Sequence, residues 1–318
     1  GRRPALAMYA DWTDRIQAGE YPSSPPPRPQ GVERNVVVSL WDWSEPKAYM
    51  HDLISADKRN PRVNANGPVY GAPENSTDYM PVVDPNTHAA STVPLQVRDP
   101  LTPSSASTPP KMPSPYWDEE VIWDSRTLAH SFAMDSQARV WIAARVRPAE
   151  TPAFCREGSN HPSAQAFPIA RSNRQMQLWD PGTQEMTTVD TCFGTHHLNF
   201  ADDDTLWFTG SGPVVAWFDT RVLAETGDEE LAQGWTVQVL DTNGNGRRDD
   251  YVEPGEPMDP TKDTRIERGY YGVAPSPLDG SIWGSTLGMP GGLVRFVPGD
   301  DPVNTALVEF YEVPWNDP

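Results

Sequence analysis

Three histidines recur at the start of a repeated strand pattern, and this spacing would bring them together to do chemistry. His51, His130 and His197 each open one copy of the pattern, and a fourth copy has Tyr271 at the same position. Each copy holds four short apolar runs, which is typical of a β-propeller blade. The first strand of every blade lines the central channel of a propeller. The four side chains are therefore expected to meet at one mouth of that channel.

Two kinds of chemistry follow from such a cluster. Three neutral imidazoles with an open position suit Zn²⁺, Fe²⁺ or Mn²⁺, so His51, His130 and His197 are candidate ligands of a transition metal. Without a metal, one imidazole would serve as a general base, and Tyr271 as a proton donor. In the competing interpretation each histidine only caps its strand by bonding a neighbouring carbonyl. His196 is an alternative to His197, because a one-residue slip in register exchanges the two faces of a strand.

A second candidate metal site is an oxygen-rich loop between the third and fourth copies. Residues 241–249 follow the first nine positions of a calcium-binding loop, with glycine at the sixth position, where the sharp turn needs it. Position 12 is Val252, so Asp250 or Glu253 would supply the missing carboxylate. We predict a structural Ca²⁺ site, and an Asn/Gly-rich turn without an ion is the alternative. The predicted ligands are Asp241, Asn243, Asn245, Arg247 through its carbonyl, Asp249 and Glu253.

The elements that position these residues are short strands joined by Pro- and Gly-rich connections. Proline is abundant, at 35 residues, and it is confined to the edges and turns of sheets. We predict an all-β propeller over 35–318, part of a larger ring, after a short helix and a Pro-rich linker that belong to a preceding domain in 1–34. Trp141, Trp207 and Trp283 fall at one place in the repeat and are predicted to pack between blades. The four predicted blades cover about 35–100, 121–192, 195–240 and 269–314.

Charge and cysteine content limit the partners and the compartment. The formal net charge of -19 argues against nucleic acid and against an anionic membrane surface as partners. The sequence has no run of about 18 apolar residues, so no membrane insertion is expected. Cys155 and Cys192 both fall in the second copy, and we predict that they form a disulfide, as even cysteine numbers do in exported chains. Two buried free thiols in a cytosolic protein are the alternative.

Part of the chain resembles a known family of propellers. Thr195-His-His-Leu-Asn-Phe-Ala, Thr205-Leu-Trp-Phe-Thr-Gly and Gly280-Ser-Ile-Trp-Gly-Ser resemble the repeats of streptogramin (virginiamycin B) lyase-like proteins, over roughly residues 125–314. This resemblance implies a propeller, usually of seven blades, with a divalent ion and a catalytic histidine near the channel. The catalytic residues of the lyase do not match one by one, and the long insertions depart from its compact pattern.

The whole chain is similar to large exported bacterial proteins described as carboxypeptidase regulatory-like domain-containing. Met8-Tyr-Ala-Asp-Trp-Thr-Asp-Arg-Ile, Arg28-Pro-Gln-Gly-Val-Glu-Arg-Asn and Asp57-Lys-Arg-Asn-Pro-Arg-Val-Asn-Ala-Asn-Gly-Pro carry this similarity. In that family a β-sandwich module and a c-type-cytochrome-like segment precede the propeller. The similarity implies a periplasmic or secreted protein in a redox setting. The chain itself contains no haem-attachment motif.

Two functions from different classes fit these observations. The first is a metal-assisted lyase or oxidoreductase that acts on a small organic molecule at the channel, with His51, His130 and His197 as metal ligands or bases. The second is a non-catalytic interaction scaffold whose insertions dock a c-type cytochrome or another subunit. The sequence alone leaves open whether the protein is an enzyme.

Overall fold

The computed structural model describes residues 50–107, 123–210, 212–287 and 291–312, together with 7, 10, 11, 13–15, 17–20, 30 and 31. The chain divides into two units, Gly1–Trp41 and Asp42–Pro318. In the first unit the described residues from 7 to 17 are helical, and Gly19 follows them with a φ of 79°. The predicted Pro-rich linker and most of the predicted domain boundary lie outside the described residues.

The second unit consists of short strands, as the Pro- and Gly-rich repeat predicts. Its described helices are short: Pro162–Ala166, Thr220–Thr226, Glu229–Ala232 and Pro302–Thr305, with 3-10 turns at Ser105–Ser107 and Ala153–Cys155. The described strands are β1 (Asp52–Ile54), β2 (Val69–Ala72), β3 (Tyr79–Asp84), β4 (Ala89–Pro94), β5 (Phe132–Met134), β6 (Val140–Ala144), β7 (Gln175–Asp180), β8 (Glu185–Val189), β9 (Leu198–Phe200), β10 (Thr205–Phe208), β11 (Val214–Asp219), β12 (Gln233–Leu240), β13 (Tyr251–Val252), β14 (Asp263–Ile266), β15 (Tyr270–Pro275), β16 (Ile282–Thr286), β17 (Gly292–Val297) and β18 (Leu307–Glu312).

These strands form four antiparallel units of four, each in chain order. They are β1-β2-β3-β4, β5-β6-β7-β8, β9-β10-β11-β12 and β15-β16-β17-β18. The insertion between the third and fourth units adds β14 to the edge of β12, and β13 pairs with β14. The first strands are neighbours, since β1 lies beside β5, β5 beside β9, and β9 beside β15. This arrangement confirms the predicted propeller, with the first strand of each blade innermost.

Buried aromatic side chains join successive blades. Trp141 of the second blade is buried and meets Phe200 of the third blade edge-on, with ring centroids 6.4 Å apart. Its indole N–H donates to the Asp135 carboxylate at 3.0 Å, which satisfies the buried donor. Trp207 of the third blade packs on Phe296 of the fourth, at 5.7 Å. Trp283 differs, because it stacks within its own blade.

A disulfide ties the insertion of the second blade to the entrance of the third. Cys155 and Cys192 are bonded, with Cα atoms 5.3 Å apart, and both are fully buried. The predicted pairing is therefore confirmed. Cys192 lies four residues before His196, so the bond fixes the segment that leads into the histidine pair.

Candidate metal centre at the channel mouth

The structure brings His51, His130, His197 and Tyr271 together. The first two histidines are hydrogen-bonded through their backbone N–H groups to the second strands of their own blades, at Ala72 and Ala143. Ring centroids are 4.0 Å apart for His51 and His130, 5.5 Å for His130 and His197, and 5.1 Å for His197 and Tyr271. Four successive blades thus each contribute to a single cluster of rings.

His196 belongs to the same cluster. Its ring centroid lies 4.1 Å from that of His130 and 4.3 Å from that of His197. Strand alternation would send neighbouring side chains to opposite faces, but β9 begins only at Leu198. Both histidines precede the strand, so both reach the channel mouth and neither replaces the other.

Backbone carbonyls of the next blade orient two of the rings. Nδ1 of His51 donates to the His130 carbonyl at 3.1 Å, and Nδ1 of His197 donates to the Tyr271 carbonyl at 2.9 Å. A carbonyl only accepts, so each Nδ1 carries a proton, and in the neutral form of each ring Nε2 has the lone pair. These are the hydrogen bonds to carbonyls that the capping interpretation predicts. They leave Nε2 of each ring available to bind a ligand.

Glu74 orients the third ring. Its carboxylate accepts the N–H of His130 Nδ1. His130 Nε2 is buried and has no hydrogen-bond partner among the described residues. Glu74 lies just after β2 in left-handed backbone conformation, with a φ of 50°, and its N–H bonds the Ala129 carbonyl at 2.8 Å. A non-glycine residue held in this region often marks a functional position.

Burial and charge set the protonation of the cluster. Burial lowers the pKa of His196 to about 4, with the positive charges of His130, His197 and Arg174 acting in the same direction. Burial also lowers the pKa of His197. Burial acts to raise the pKa of Glu74, but its hydrogen bond to His130 and the nearby positive charges outweigh this effect, so the pKa is lowered. At neutral pH His196 and His197 are therefore neutral and Glu74 is ionised, which is the state in which these groups can bind a cation.

The donor atoms are close enough for one ion to gather several of them. One nitrogen each from His130, His196 and His197 lies within 4.8 Å of the others, and ligand atoms of His51, Glu74 and His130 form a second such group. Imidazole nitrogens with one carboxylate suit Zn²⁺, Fe²⁺ or Mn²⁺. A histidine whose other nitrogen donates to a carboxylate or carbonyl is the usual arrangement around such metals. The residues present therefore fit a transition metal.

The oxygen-rich loop is folded around the Asp241 carboxylate. That carboxylate accepts the backbone N–H groups of Gly244 and Gly246, both at 2.8 Å, and of Asn245 at 3.1 Å. The side-chain amides of Asn243 and Asn245 both donate to Asp249. The loop thus brings together the side chains at positions 1, 3, 5 and 9 of the predicted calcium site.

The predicted carboxylate from position 253 is engaged elsewhere. Glu253 forms an ion pair with Arg265 at 2.6 Å. The carboxylate that meets the loop is instead that of Asp263, in β14, which accepts the Asp249 N–H at 2.7 Å. Asp263 is fully buried, and its second oxygen has no hydrogen-bond partner among the described residues. Strand pairing across the insertion brings Asp263 to this position, and the local motif does not reveal it.

Comparisons with known proteins found similar folds. No family model and no curated protein matches the sequence. Among solved structures, an inactive virginiamycin B lyase from Staphylococcus aureus with quinupristin is 7% identical, with a TM-score of 0.44, over 85% of this chain and 57% of the lyase. YCF48 bound to a D1 peptide is 12% identical, with a TM-score of 0.33, over 77% and 49%. Regucalcin from Agrobacterium tumefaciens, a calcium-binding protein, is 14% identical, with a TM-score of 0.30, over 86% and 77%.

The order of its sheets defines the chain as a β-propeller protein, the fold that its resemblance to streptogramin lyase-like repeats implies. It spans little more than half the length of the lyase and about half that of YCF48. Within the described ranges, no helix is long and apolar enough to cross a membrane.

Proposed function

We propose that this protein is a metal-dependent enzyme whose channel-mouth histidines hold a divalent transition metal. The observation that carries the proposal is the buried Nε2 of His130, which has no hydrogen-bond partner in the part of the chain that the structure describes. A buried polar atom without a partner costs about 1–3 kcal/mol, so a ligand is expected there. The Nδ1 atoms of His51 and His197 are occupied by carbonyls, so the Nε2 atoms are the nitrogens of these two rings that can bind a ligand.

His51, His130 and His197 would hold the metal through Nε2, and His196 would lie beside this ligand set. Glu74 keeps the His130 ring in one tautomer and supplies the negative charge that makes the ring a stronger ligand. When bound, the metal supplies Lewis-acid polarisation of a substrate oxygen. Side chains of the protein would carry out the proton transfers of the reaction.

A lyase reaction on a small organic molecule is the activity that these side chains support best. Neutral His196 can accept the proton when a C–H bond of the substrate breaks, because its pKa of about 4 keeps it unprotonated at neutral pH. The electron pair of that bond then forms a double bond as the bond to the leaving group breaks. The phenol of Tyr271, with its ring centroid 5.5 Å from that of His196, can return a proton to the leaving group. Tyr271 is 46% exposed, so a substrate can reach this pair from solvent. An oxidoreductase would use the same metal but would not need this acid–base pair.

The proposed setting is the periplasm or the cell exterior of a bacterium. The Cys155–Cys192 disulfide supports this location, because disulfides persist in oxidising compartments.

In such a setting the Asp241 loop would bind Ca²⁺ and stiffen the insertion. Asp241→Ala would then abolish stabilisation by added Ca²⁺ in thermal unfolding. Equal stabilisation of both proteins by Ca²⁺ would contradict the assignment.

A non-catalytic scaffold is the second candidate function. On the face of the fourth blade that does not pack against Trp207 of the third blade, Tyr311 and Leu293 are exposed, and Tyr311 stacks on Trp283. Exposed apolar patches of this kind often mark contact surfaces, and a further blade or another subunit would pack here. A c-type cytochrome as that subunit rests on the sequence similarity alone.

Metal content measured by mass spectrometry tests the leading proposal. We expect a stoichiometric transition metal in protein purified without chelators, and its loss in the variant with His51, His130 and His197 all changed to alanine. His88→Asn is the matched control, since His88 is an exposed histidine in the turn between β3 and β4. A protein that takes up no transition metal even after incubation with Zn²⁺, Fe²⁺ and Mn²⁺ would overturn the metal centre and leave the scaffold as the better function.

A further inference from the structure

Arg174 is a largely buried arginine beside the histidine cluster, and its guanidinium has few partners among the described residues. It lies directly before β7, and its carbonyl accepts the Thr195 N–H at 3.1 Å, which holds it next to the histidine pair. Its side chain is 16% exposed. Nε has no hydrogen-bond partner among the described residues, and Nη2 lies 3.8 Å from Glu74 Oε1, beyond direct hydrogen bonding.

Another buried arginine shows what such a group usually requires. The Arg147 guanidinium donates to both oxygens of Asp190, to Ser172, and to three backbone carbonyls. A guanidinium has five N–H donors, and removing them from water is costly unless acceptors replace the water. Burial accordingly lowers the pKa of Arg174. An arginine remains charged at neutral pH, so the Arg174 Nε–H lacks the acceptor it needs among the described residues.

The charges around Arg174 indicate the kind of acceptor. Glu74 is the neighbouring carboxylate, and its other oxygen is already bonded to His130. Arg145 adds a second positive charge, and burial, together with repulsion from Arg174, lowers the pKa of Arg145. Arg145 itself is bonded to the Asn173 side chain and the Pro103 carbonyl. The Arg174 guanidinium is therefore the group that can bind a ligand here, and the ligand is expected to carry one negative charge.

We propose that Arg174 binds the carboxylate of the substrate, so that the small molecule taken up at the channel mouth is an organic carboxylate. The guanidinium fork matches a carboxylate with two parallel hydrogen bonds, and Nε–H with one Nη–H can form them. The inference rests on the proposed function for the location of the reaction. It also serves that reaction, because an anchored carboxylate would fix the substrate beside the proposed base His196.

Nuclear magnetic resonance of the arginine Nε–H groups tests this inference directly. The Arg174 signal is assigned by its loss in Arg174→Lys, and metal-free protein is titrated with sodium acetate. Acetamide, which has the same shape without the charge, and sodium chloride at equal ionic strength are the control titrations. We expect a saturable downfield shift of the Arg174 Nε–H with acetate only, because the proton gains a charged acceptor.

The variants sharpen the result. Arg174→Lys keeps the charge without the fork and is expected to weaken acetate binding about tenfold. Because this variant lacks the Arg174 signal, its acetate affinity is measured from the backbone amide shifts of the neighbouring residues, which are followed in the unmodified protein as well. Arg174→Gln replaces the lysine variant if that variant does not fold. Arg171→Lys is the matched control, because Arg171 is an exposed arginine near by, and its variant should show the acetate shift unchanged. An Arg174 signal that does not move, or moves equally with chloride, would overturn the inference.

Metal content separates this inference from the proposed function. Arg174→Lys should retain the transition metal, because no metal-ligand atom is changed. Acetate binding without any transition metal would leave the anion site standing and remove the metal-dependent function. Metal binding without an acetate response would remove only the carboxylate assignment.

Discussion

Breaking the Cys155–Cys192 bond tests how the second blade secures the entrance to the site. The bond closes a loop with a sequence separation of 37 residues. Removing a cross-link of that span releases chain entropy in the unfolded state worth about 4 kcal/mol at 25 °C. We therefore expect Cys155→Ala combined with Cys192→Ala to lower the free energy of unfolding by about that amount, measured by urea unfolding with tryptophan fluorescence.

The single variants make this prediction sharper. Cys155→Ala and Cys192→Ala each break the same bond, so each alone should cost nearly as much as the pair, and the sum of the two single effects should greatly exceed the double effect. Additive single effects, or a loss below about 1 kcal/mol in the double variant, would refute the loop argument. Transition-metal affinity should also fall in the double variant, because Cys192 anchors the segment that leads to His196.

Three further predictions follow from the contacts of the site and the blades. Glu74→Gln keeps a hydrogen-bond acceptor for His130 but removes the charge, so the affinity for the transition metal should fall about 10–100-fold in a competition with a chelator; unchanged affinity would contradict the orienting role. Trp141→Ala should cost about 3–5 kcal/mol in urea unfolding because it empties the contact between two blades, and Trp283→Ala should cost less because that side chain is only partly buried. In metal-free protein the lowered pKa of His196 means that the unfolded chain takes up its proton first, so stability should fall as the pH drops from about 6.5 towards 4. His196→Asn should flatten that part of the pH profile, and an identical profile in the variant would count against the burial of this imidazole.

The blades and the histidine positions could be predicted because both depend on local sequence. Alternating apolar runs with turn residues specify a strand and its faces, and repetition places equivalent residues at equivalent points of each blade. His51, His130, His197 and Tyr271 follow from that rule alone. His196 does not, because the alternation that would turn it away starts only at Leu198.

Glu74 and Arg174 could not be found in this way. Glu74 reaches His130 because its backbone turns into the left-handed region and bonds to Ala129 of the next blade. Arg174 follows a long insertion, so no repeat position marks it. The same reason applies to the predicted calcium loop, where β14 brings Asp263 to the loop and Arg265 to Glu253. Each of these contacts depends on packing between distant segments, which spacing along the chain does not encode.

The orientation of the histidine rings depends on contacts between successive blades. His51 is oriented by the carbonyl of His130 and His197 by the carbonyl of Tyr271, so the orienting group is the backbone of the equivalent residue one blade further on. A backbone carbonyl is present whatever side chain the next blade carries. The fourth blade can therefore replace histidine with tyrosine without disturbing the ring of His197. The repeat thus preserves the orientation of the rings while the side chain at each position stays free to change, and Tyr271 adds a phenol to a set of imidazoles.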